Sequence, residues 1–194
     1  MRYVLASGSP RRRELLVRVI PEFDIIPAVS EESPESCEPS EIVKELSFQK
    51  ASEIFYKVLT DSGDGLVVIG ADTVVSYNHE VLGKPQDEPD AARMIGMLSG
   101  REHDVYSGVT CFYSHNGEVR NFSFPECTRV HVAKMTQEEI REYARSGEPL
   151  DKAGAYGIQG LFSRYITGIE GDYYNVVGLP VAALYRELKN HSLI

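Results

Sequence analysis

The apolar positions of the chain follow different periods in different segments, and each period predicts one kind of element. Residues 66–71 (Leu-Val-Val-Ile-Gly-Ala) are an unbroken apolar run, which favours a strand buried on both faces. Residues 41–60 instead repeat their apolar positions every three to four residues, which predicts a long amphipathic helix with Ser40 as its N-cap. A second helix is predicted over about 87–98, with Gly100 as its C-terminal stop.

The second half of the chain predicts a hairpin and two further helices. Residues 103–113 and 119–133 alternate and are rich in Val, Tyr, Phe and Thr, and the Asn-Gly pair at 116–117 is typical of a hairpin turn. The segment 136–139 (Thr-Gln-Glu-Glu) matches a capping box, and Pro180 is placed to open a terminal helix. Because strands and helices alternate early and a hairpin follows, the pattern predicts a mixed α/β sheet.

Composition and charge narrow the class of protein. The 194 residues are 42% hydrophobic and 25% charged, which is typical of a globular protein. The length favours one domain or two closely fused lobes, and we expect a single domain over 1–194. The three cysteines lack CxxC spacing, which argues against a disulfide framework or zinc site and indicates a reducing cytosol. No apolar run approaches the ~18 residues of a membrane span, so we expect a cytoplasmic protein without membrane contact. A net charge of −9 argues against nucleic-acid binding.

The first helix is predicted to begin in a strongly basic segment. Ser9 is a favoured N-cap and Pro10 suits the first helical turn. Residues 1–20 hold five arginines and one glutamate, a local charge of +4 on an acidic chain. This contrast favours a phosphorylated ligand, because unpaired N–H groups at a helix start also attract anions. The alternative is a solvated, basic helix face.

Asp72 interrupts the apolar run that continues to Val75. A carboxylate among buried residues is costly unless it is paired, hydrogen-bonded or bound to a cation. Asp72 could therefore ligate Mg²⁺ or accept a proton from a nucleophilic water. The alternative is a structural Asp–Arg pair or a turn at the end of the strand.

Three other positions carry weaker signals. Lys84 follows Gly83 and precedes Pro85, which would hold its charge in place for a phosphate oxygen, although an ordinary turn lysine has the same pattern. Lys50, taken alone, is typical of a solvated helix residue. Gln159 lies in the glycine-rich segment 151–160 and offers both a donor and an acceptor, as recognition of a base requires; a glycine-rich turn beneath a helix is the alternative.

Taken together and in order, these segments resemble the Maf family. The matching segments are SGSPRRREL at 7–15, a Glu-rich stretch near 31, QKA at 49–51, GADTVV at 70–75, GKP at 83–85, DKAGAYGIQG at 151–160 and NVVGLP at 175–180. The resemblance implies an elongated mixed β-sheet flanked by helices, with two lobes around a cleft, related to the inosine triphosphatase fold. It also implies a cytoplasmic homodimer that uses a divalent metal, Mg²⁺ or Mn²⁺, to hydrolyse nucleoside triphosphates to the monophosphate and pyrophosphate.

The resemblance further implies a role for individual residues. Asp72 matches the catalytic proton acceptor and a metal ligand, and Glu31 matches a second metal ligand, with Glu32 as the alternative. The residues expected around the triphosphate are Ser9, Arg12, Arg13, Lys50 and Lys84. Those expected to select the base are Arg11, Thr73 and Gln159, which match the subfamily that prefers dTTP and UTP. The alternatives are a pyrophosphatase for 7-methyl-GTP or another modified nucleotide, and a non-catalytic nucleotide sensor that regulates cell division.

Overall fold

A computed structural model of the chain describes residues 1–30, 33–62 and 65–194, with the side chains of 60–62 left out. Glu31 and Glu32, the candidate metal ligands, lie outside the described residues. The strands are β1 (Arg2–Leu5), β2 (Asp24–Ile25), β3 (Leu66–Tyr77), β4 (Glu80–Leu82), β5 (Glu102–His115), β6 (Glu118–Val132) and β7 (Ile166–Glu170). The helices are α1 (Pro10–Leu16), α2 (Pro39–Ser62), α3 (Glu88–Leu98), α4 (Gln137–Arg145), α5 (Tyr173–Val177) and α6 (Val181–Asn190).

The strands form one mixed sheet in the order β2-β1-β3-β5-β6-β7, with β4 paired to β3. Strand β1 runs parallel to both of its neighbours, whereas β4 is antiparallel to β3 and β7 is antiparallel to β6. The predicted mixed α/β class is therefore confirmed. Among the described helices, none combines the length and the apolar character needed to cross a membrane.

The chain forms two compact units. The first consists of Met1–Asp72, Ser107–Glu126 and Gly178–Ile194, and the second of Thr73–Tyr106 and Cys127–Val177. Strands β3, β5 and β6 contribute residues to both. That 1–194 acts as a single domain stays a prediction.

Helix α2 lies unusually close to the sheet in the first unit. Its buried face packs against β1, β3 and β5 in one cluster: Val4, Ala6, Ala51, Ile54, Phe55, Val58, Leu66, Val68 and Phe112. Two glycines allow the close approach, because a Cβ on Gly70 would lie 2.7 Å from the backbone nitrogen of Ala51, and one on Gly108 would lie 2.8 Å from that of Lys44. The sheet face that α2 covers includes Gly70 and, two residues further along β3, Asp72.

Most of the local signals predicted their elements correctly. Ser9 caps α1 and accepts a hydrogen bond from the backbone N–H of Arg12. Thr136 and Glu139 form the predicted capping box of α4. The hairpin turn is confirmed, with Asn116 and Gly117 both at positive φ, as a tight turn between twisted strands requires.

The predicted N-cap of the long helix was wrong. Helix α2 begins at Pro39, and Ser40 lies inside its first turn. The carbonyl of Glu38 accepts the first helical hydrogen bonds, from the N–H groups of Glu41 and Ile42. Proline suits the first helical position because its φ is already helical and its missing N–H would have had no partner there.

Candidate active site

Lys50 and Asp72 form an ion pair in the first unit, between α2 and β3. Both side chains are largely buried, with 16% of Lys50 and 11% of Asp72 exposed. The close crossing of α2 at Gly70 produces this pair, since it brings the turn that contains Lys50 over the end of the buried part of β3. The alternatives of a solvated Lys50 and of an arginine partner for Asp72 are therefore wrong.

The pair gives Asp72 the cationic partner that burial of a carboxylate requires. A carboxylate held in this way can accept a proton from a bound water and can offer oxygen to a hard cation. The ammonium of Lys50 supplies positive charge at the same point. The pair therefore combines a carboxylate that can take up a proton with a cation that can contact a phosphate.

Asp72 fits a magnesium or manganese ion by its chemistry. Mg²⁺ in enzymes is commonly held by one or two carboxylates together with substrate phosphates and water, and Mn²⁺ also prefers oxygen ligands. Within the described ranges, no three His, Cys, Asp or Glu side chains come together as a ready-made metal site. A cation bound to Asp72 would need further oxygen ligands, such as substrate phosphates and water.

The basic helix α1 holds its arginines in different ways. The guanidinium of Arg12 donates from Nε to the carbonyl of Gly178 at 3.0 Å and from Nη1 to the hydroxyl of Ser7 at 3.3 Å. These bonds fix Arg12 just before α6, in the same unit. Arg13 is exposed and Arg11 is half-buried. Arg12 is therefore held in place by a backbone carbonyl and a side-chain hydroxyl.

Glu53 fixes the backbone that precedes Glu31, and sequence reasoning missed it. Its carboxylate accepts from the N–H groups of Val29 at 3.0 Å and Ser30 at 3.1 Å, and also from the Ser30 hydroxyl. The hydroxyl bond, followed by the bond from Val29, lowers the pKa of Glu53. No local pattern marks Glu53, because its partners lie 23 and 24 residues earlier in the chain.

The second unit holds the other candidate residues. Thr73 is half-buried on β3, and Lys84 is exposed in the turn after β4. That turn is tied to the glycine-rich segment by a hydrogen bond of 3.0 Å from the N–H of Gly154 to the carbonyl of Gly83. Gly154 is also packed against Val75, which a Cβ would approach to 2.7 Å. The structure thus brings the Lys84 turn and the segment 151–160 together.

The glycine-rich segment has a specific backbone conformation. Gly154 and Ala155 both have positive φ, +66° and +60°, which is uncommon for a residue with a side chain. The segment contains a short 3₁₀ turn, Ala153–Ala155, and Gln159 stands exposed beyond it. The described residues offer its amide no hydrogen bond, which leaves both its donor and its acceptor available to a ligand.

A buried histidine supports the same segment and was not singled out from the sequence. His103 Nε2 shares a hydrogen bond of 2.7 Å with the hydroxyl of Tyr156, and its Nδ1 is buried without a partner among the described residues. Burial lowers the pKa of His103 to about 4. His103 is therefore neutral at physiological pH, and its role is to hold the segment in place through Tyr156.

Comparison with known proteins agrees with the sequence motifs. The family described as "Maf-like protein" matches residues 2–191. A protein of Agathobacter rectalis named "dTTP/UTP pyrophosphatase" is 52% identical over 96% of this chain and 95% of its own length. A protein of the same name from Carboxydothermus hydrogenoformans is 49% identical over 97% of this chain and 98% of its own.

Among solved structures, the chain is similar to a "Nucleoside-triphosphatase / dITP/XTP pyrophosphatase" of Mycobacterium abscessus, at 15% identity and a TM-score of 0.48, with 98% of each chain covered. The sequence match alone decides the family, since it takes in both compact units and every described candidate residue. The chain belongs to the Maf family.

Proposed function

We propose that this chain is a nucleoside triphosphate pyrophosphatase that hydrolyses dTTP and UTP to the nucleoside monophosphate and pyrophosphate. The observation that supports the proposal is the buried pair of Asp72 and Lys50, a carboxylate next to an ammonium group. Relatives about half identical over nearly their whole length bear the name of that activity.

In the proposed reaction a water oxygen attacks the α-phosphorus and its proton passes to Asp72. The bond between the α-phosphorus and the bridging oxygen of the β-phosphate breaks, and pyrophosphate leaves with the bonding electrons. Lys50 offsets the negative charge that gathers around the phosphorus as the bond forms. Asp72 and Glu31 would hold a divalent cation, and its charge would offset that of the phosphates.

Clustered cations are needed because the chain as a whole repels a triphosphate. Against a net charge of −9, the proposed phosphate-binding residues are Ser9, Arg12, Arg13, Lys50 and Lys84. Hydrogen bonds to charged groups contribute roughly 1.5–3 kcal/mol each, so several are required to offset the loss of phosphate hydration. Arg12 is already held by Gly178 and Ser7, which reduces the entropy lost on binding.

Selection of the base is assigned to Arg11, Thr73 and Gln159. A carboxamide can accept from an N–H and donate to a carbonyl at the same time, which matches the hydrogen-bonding edge of uracil or thymine. A site built in this way rejects other bases because its own polar groups would then stay unpaired. We further propose that the enzyme works as a homodimer in the cytoplasm, with no nucleic-acid or membrane partner.

The test is pyrophosphate release from dTTP, UTP, CTP, dATP, GTP and 7-methyl-GTP, with Mg²⁺ or Mn²⁺ and with EDTA. The proposal expects metal-dependent release that is fastest with dTTP or UTP. Release confined to 7-methyl-GTP would keep the mechanism and overturn the base-selecting roles. No release from any nucleotide would favour a non-catalytic nucleotide sensor.

A further inference from the structure

Gln159 lies in a loop, residues 157–160, that other parts of the chain must hold in place. Gln159 lies between Gly157 and Gly160, and glycines leave a backbone with more freedom than any other residue. A side chain that reads a base must be held in a productive position, since a displacement of about 1 Å can reduce activity by roughly a hundredfold. Whatever restrains this loop therefore affects base selection.

Glu148 supplies such a restraint. One oxygen of its carboxylate, Oε2, accepts from the backbone N–H of Leu161 at 2.8 Å, just beyond the loop. The other, Oε1, accepts from the hydroxyl of Tyr143 at 3.0 Å. The carboxylate thus ties the end of the Gln159 loop to helix α4, using both of its oxygens.

The two glycines of the loop are shaped around this support. A Cβ on Gly160 would lie under 3.0 Å from both carboxylate oxygens of Glu148. A Cβ on Gly157 would lie 2.7 Å from Cε and 2.9 Å from Cδ of Lys152. Because Gly160 has a negative φ of −100°, space rather than backbone conformation requires glycine there. The loop therefore lies directly against the side chains that hold it.

Tyr143 anchors the arrangement in the core of the second unit. Its side chain is buried and its ring lies 5.1 Å from that of Phe162, centroid to centroid. The hydroxyl accepts from the N–H of Gly157 at 3.4 Å, at one end of the loop, and donates to Glu148, which holds the other end at Leu161. Burial, and then the charge of Glu148, raise the pKa of Tyr143, which keeps the hydroxyl protonated as a donor.

Lys152 closes the support from the other side. Its ammonium donates to the backbone carbonyl of Glu148 at 2.6 Å and to the carboxylate of Asp151 at 2.5 Å. These bonds hold its methylene chain against Gly157. Three side chains therefore restrain the loop at both ends: those of Tyr143, Glu148 and Lys152.

We propose that Glu148 is a positioning residue that fixes the Gln159 loop and, through Gln159, sets the preference among nucleobases. This inference rests on the proposed function, in which Gln159 reads the base. Glu148 itself touches no reacting atom in this account. Its effect should therefore appear in discrimination between nucleotides and in the protection of the loop, rather than in the chemical step.

The test compares Glu148→Ala, Glu148→Gln and Tyr143→Phe, each alone and in a Gln159→Ala background. Glu142→Ala is the matched control, since Glu142 is exposed on helix α4 next to Tyr143 and its side chain has no hydrogen bond or ion pair in the described part of the chain. Two quantities are measured: the ratio of kcat/KM for dTTP to that for CTP, and the hydrogen exchange rate of backbone amides 157–161. Glutamine keeps an acceptor for Leu161, and its amide can donate to the Tyr143 hydroxyl, so it serves as the conservative rescue.

The expected result is a roughly tenfold or greater loss of discrimination in Glu148→Ala, with faster exchange at amides 157–161 and near-normal values in Glu148→Gln. In the Gln159→Ala background, Glu148→Ala should cause no further loss of discrimination, because both act through one side chain. Tyr143→Phe should change both quantities in the same direction by less, and it tests the idea even if Glu148→Ala fails to fold.

Either of two results would overturn the inference. The first is unchanged exchange at the loop; the second is an equal loss of kcat/KM on every nucleotide. If the wild-type chain releases no pyrophosphate, the proposed function fails, while the exchange measurement still decides whether Glu148 holds the loop.

Discussion

The close crossing of α2 over β3 predicts that Gly70→Ala should damage both stability and activity. The added methyl would lie 2.7 Å from the backbone nitrogen and 2.9 Å from the Cβ of Ala51, and closer still to the carbonyl oxygen of Ser47. Non-bonded carbon atoms attract best near ~3.5–4.0 Å, so the helix would have to move away by about 1 Å. Helix α2 also carries Lys50, whose pairing with Asp72 depends on the same approach.

The size of the effect follows from which atoms collide. Overpacking a core typically lowers the free energy of unfolding by about 1–3 kcal/mol, and here the atoms that are met include backbone, which cannot rotate away. Alanine also restricts the unfolded chain, which returns ~0.4–1 kcal/mol. Because the backbone contacts put this site at the upper end of the overpacking range, we expect a net loss of about 2 kcal/mol. It would be seen as a lower midpoint in urea denaturation at an unchanged slope. Turnover of dTTP should fall with it, since Lys50 shifts relative to Asp72.

Gly96→Ala is the matched control. Gly96 lies inside helix α3, and a Cβ there would meet nothing within 4 Å. Alanine should stabilise this helix by about 0.5–1 kcal/mol and leave turnover unchanged. The reasoning is refuted if the free energy of unfolding of Gly70→Ala lies within about 0.5 kcal/mol of the wild-type value, which is the range typical of neutral substitutions. It is also refuted if Gly70→Ala and Gly96→Ala lower that free energy by the same amount.

Four further outcomes are expected. Asp72→Asn should lower kcat by roughly 10²–10⁴-fold while dTTP binding, measured by calorimetry, persists; near-normal turnover would remove Asp72 as the proton acceptor. Gln159→Ala should change the ratio of kcat/KM between dTTP and CTP, and an equal loss on both would mean a structural role. Burial lowers the pKa of His103 from 6.5 to about 4, so the unfolded chain takes up a proton at a higher pH than the folded chain. The free energy of unfolding should therefore fall by up to ~3 kcal/mol between pH 6.5 and 4, and His103→Gln should show a flatter pH profile over that range. EDTA should abolish pyrophosphate release and added Mg²⁺ or Mn²⁺ should restore it, whereas activity in excess chelator would contradict the metal requirement.

The elements that the sequence predicted correctly are those specified by neighbouring residues. The cap at Ser9, the capping box at Thr136 and the hairpin turn at 116–117 each depend on residues within four positions of one another. The error at Ser40 has the same origin, since a proline one residue earlier is an equally local signal and takes the first helical position. Short-range signals therefore predict elements well and their first residues less well.

The contacts that build the candidate site are long-range, and no local pattern specifies them. Lys50 and Asp72 are 22 residues apart, and their pairing depends on a helix crossing that Gly70 and Gly108 permit. Glu148 reaches Leu161 across 13 residues. Local patterns in the sequence indicated Asp72 and Gln159, and the family resemblance indicated Lys50. The partners of Lys50 and Asp72 are visible only in the folded chain.

The most direct test of the central claim is the fate of dTTP in ¹⁸O-labelled water, followed by mass spectrometry of the products. Attack of water on the α-phosphorus predicts dTMP that carries one ¹⁸O and pyrophosphate that carries none. Label in the pyrophosphate, or the release of dTDP with orthophosphate, would contradict the account.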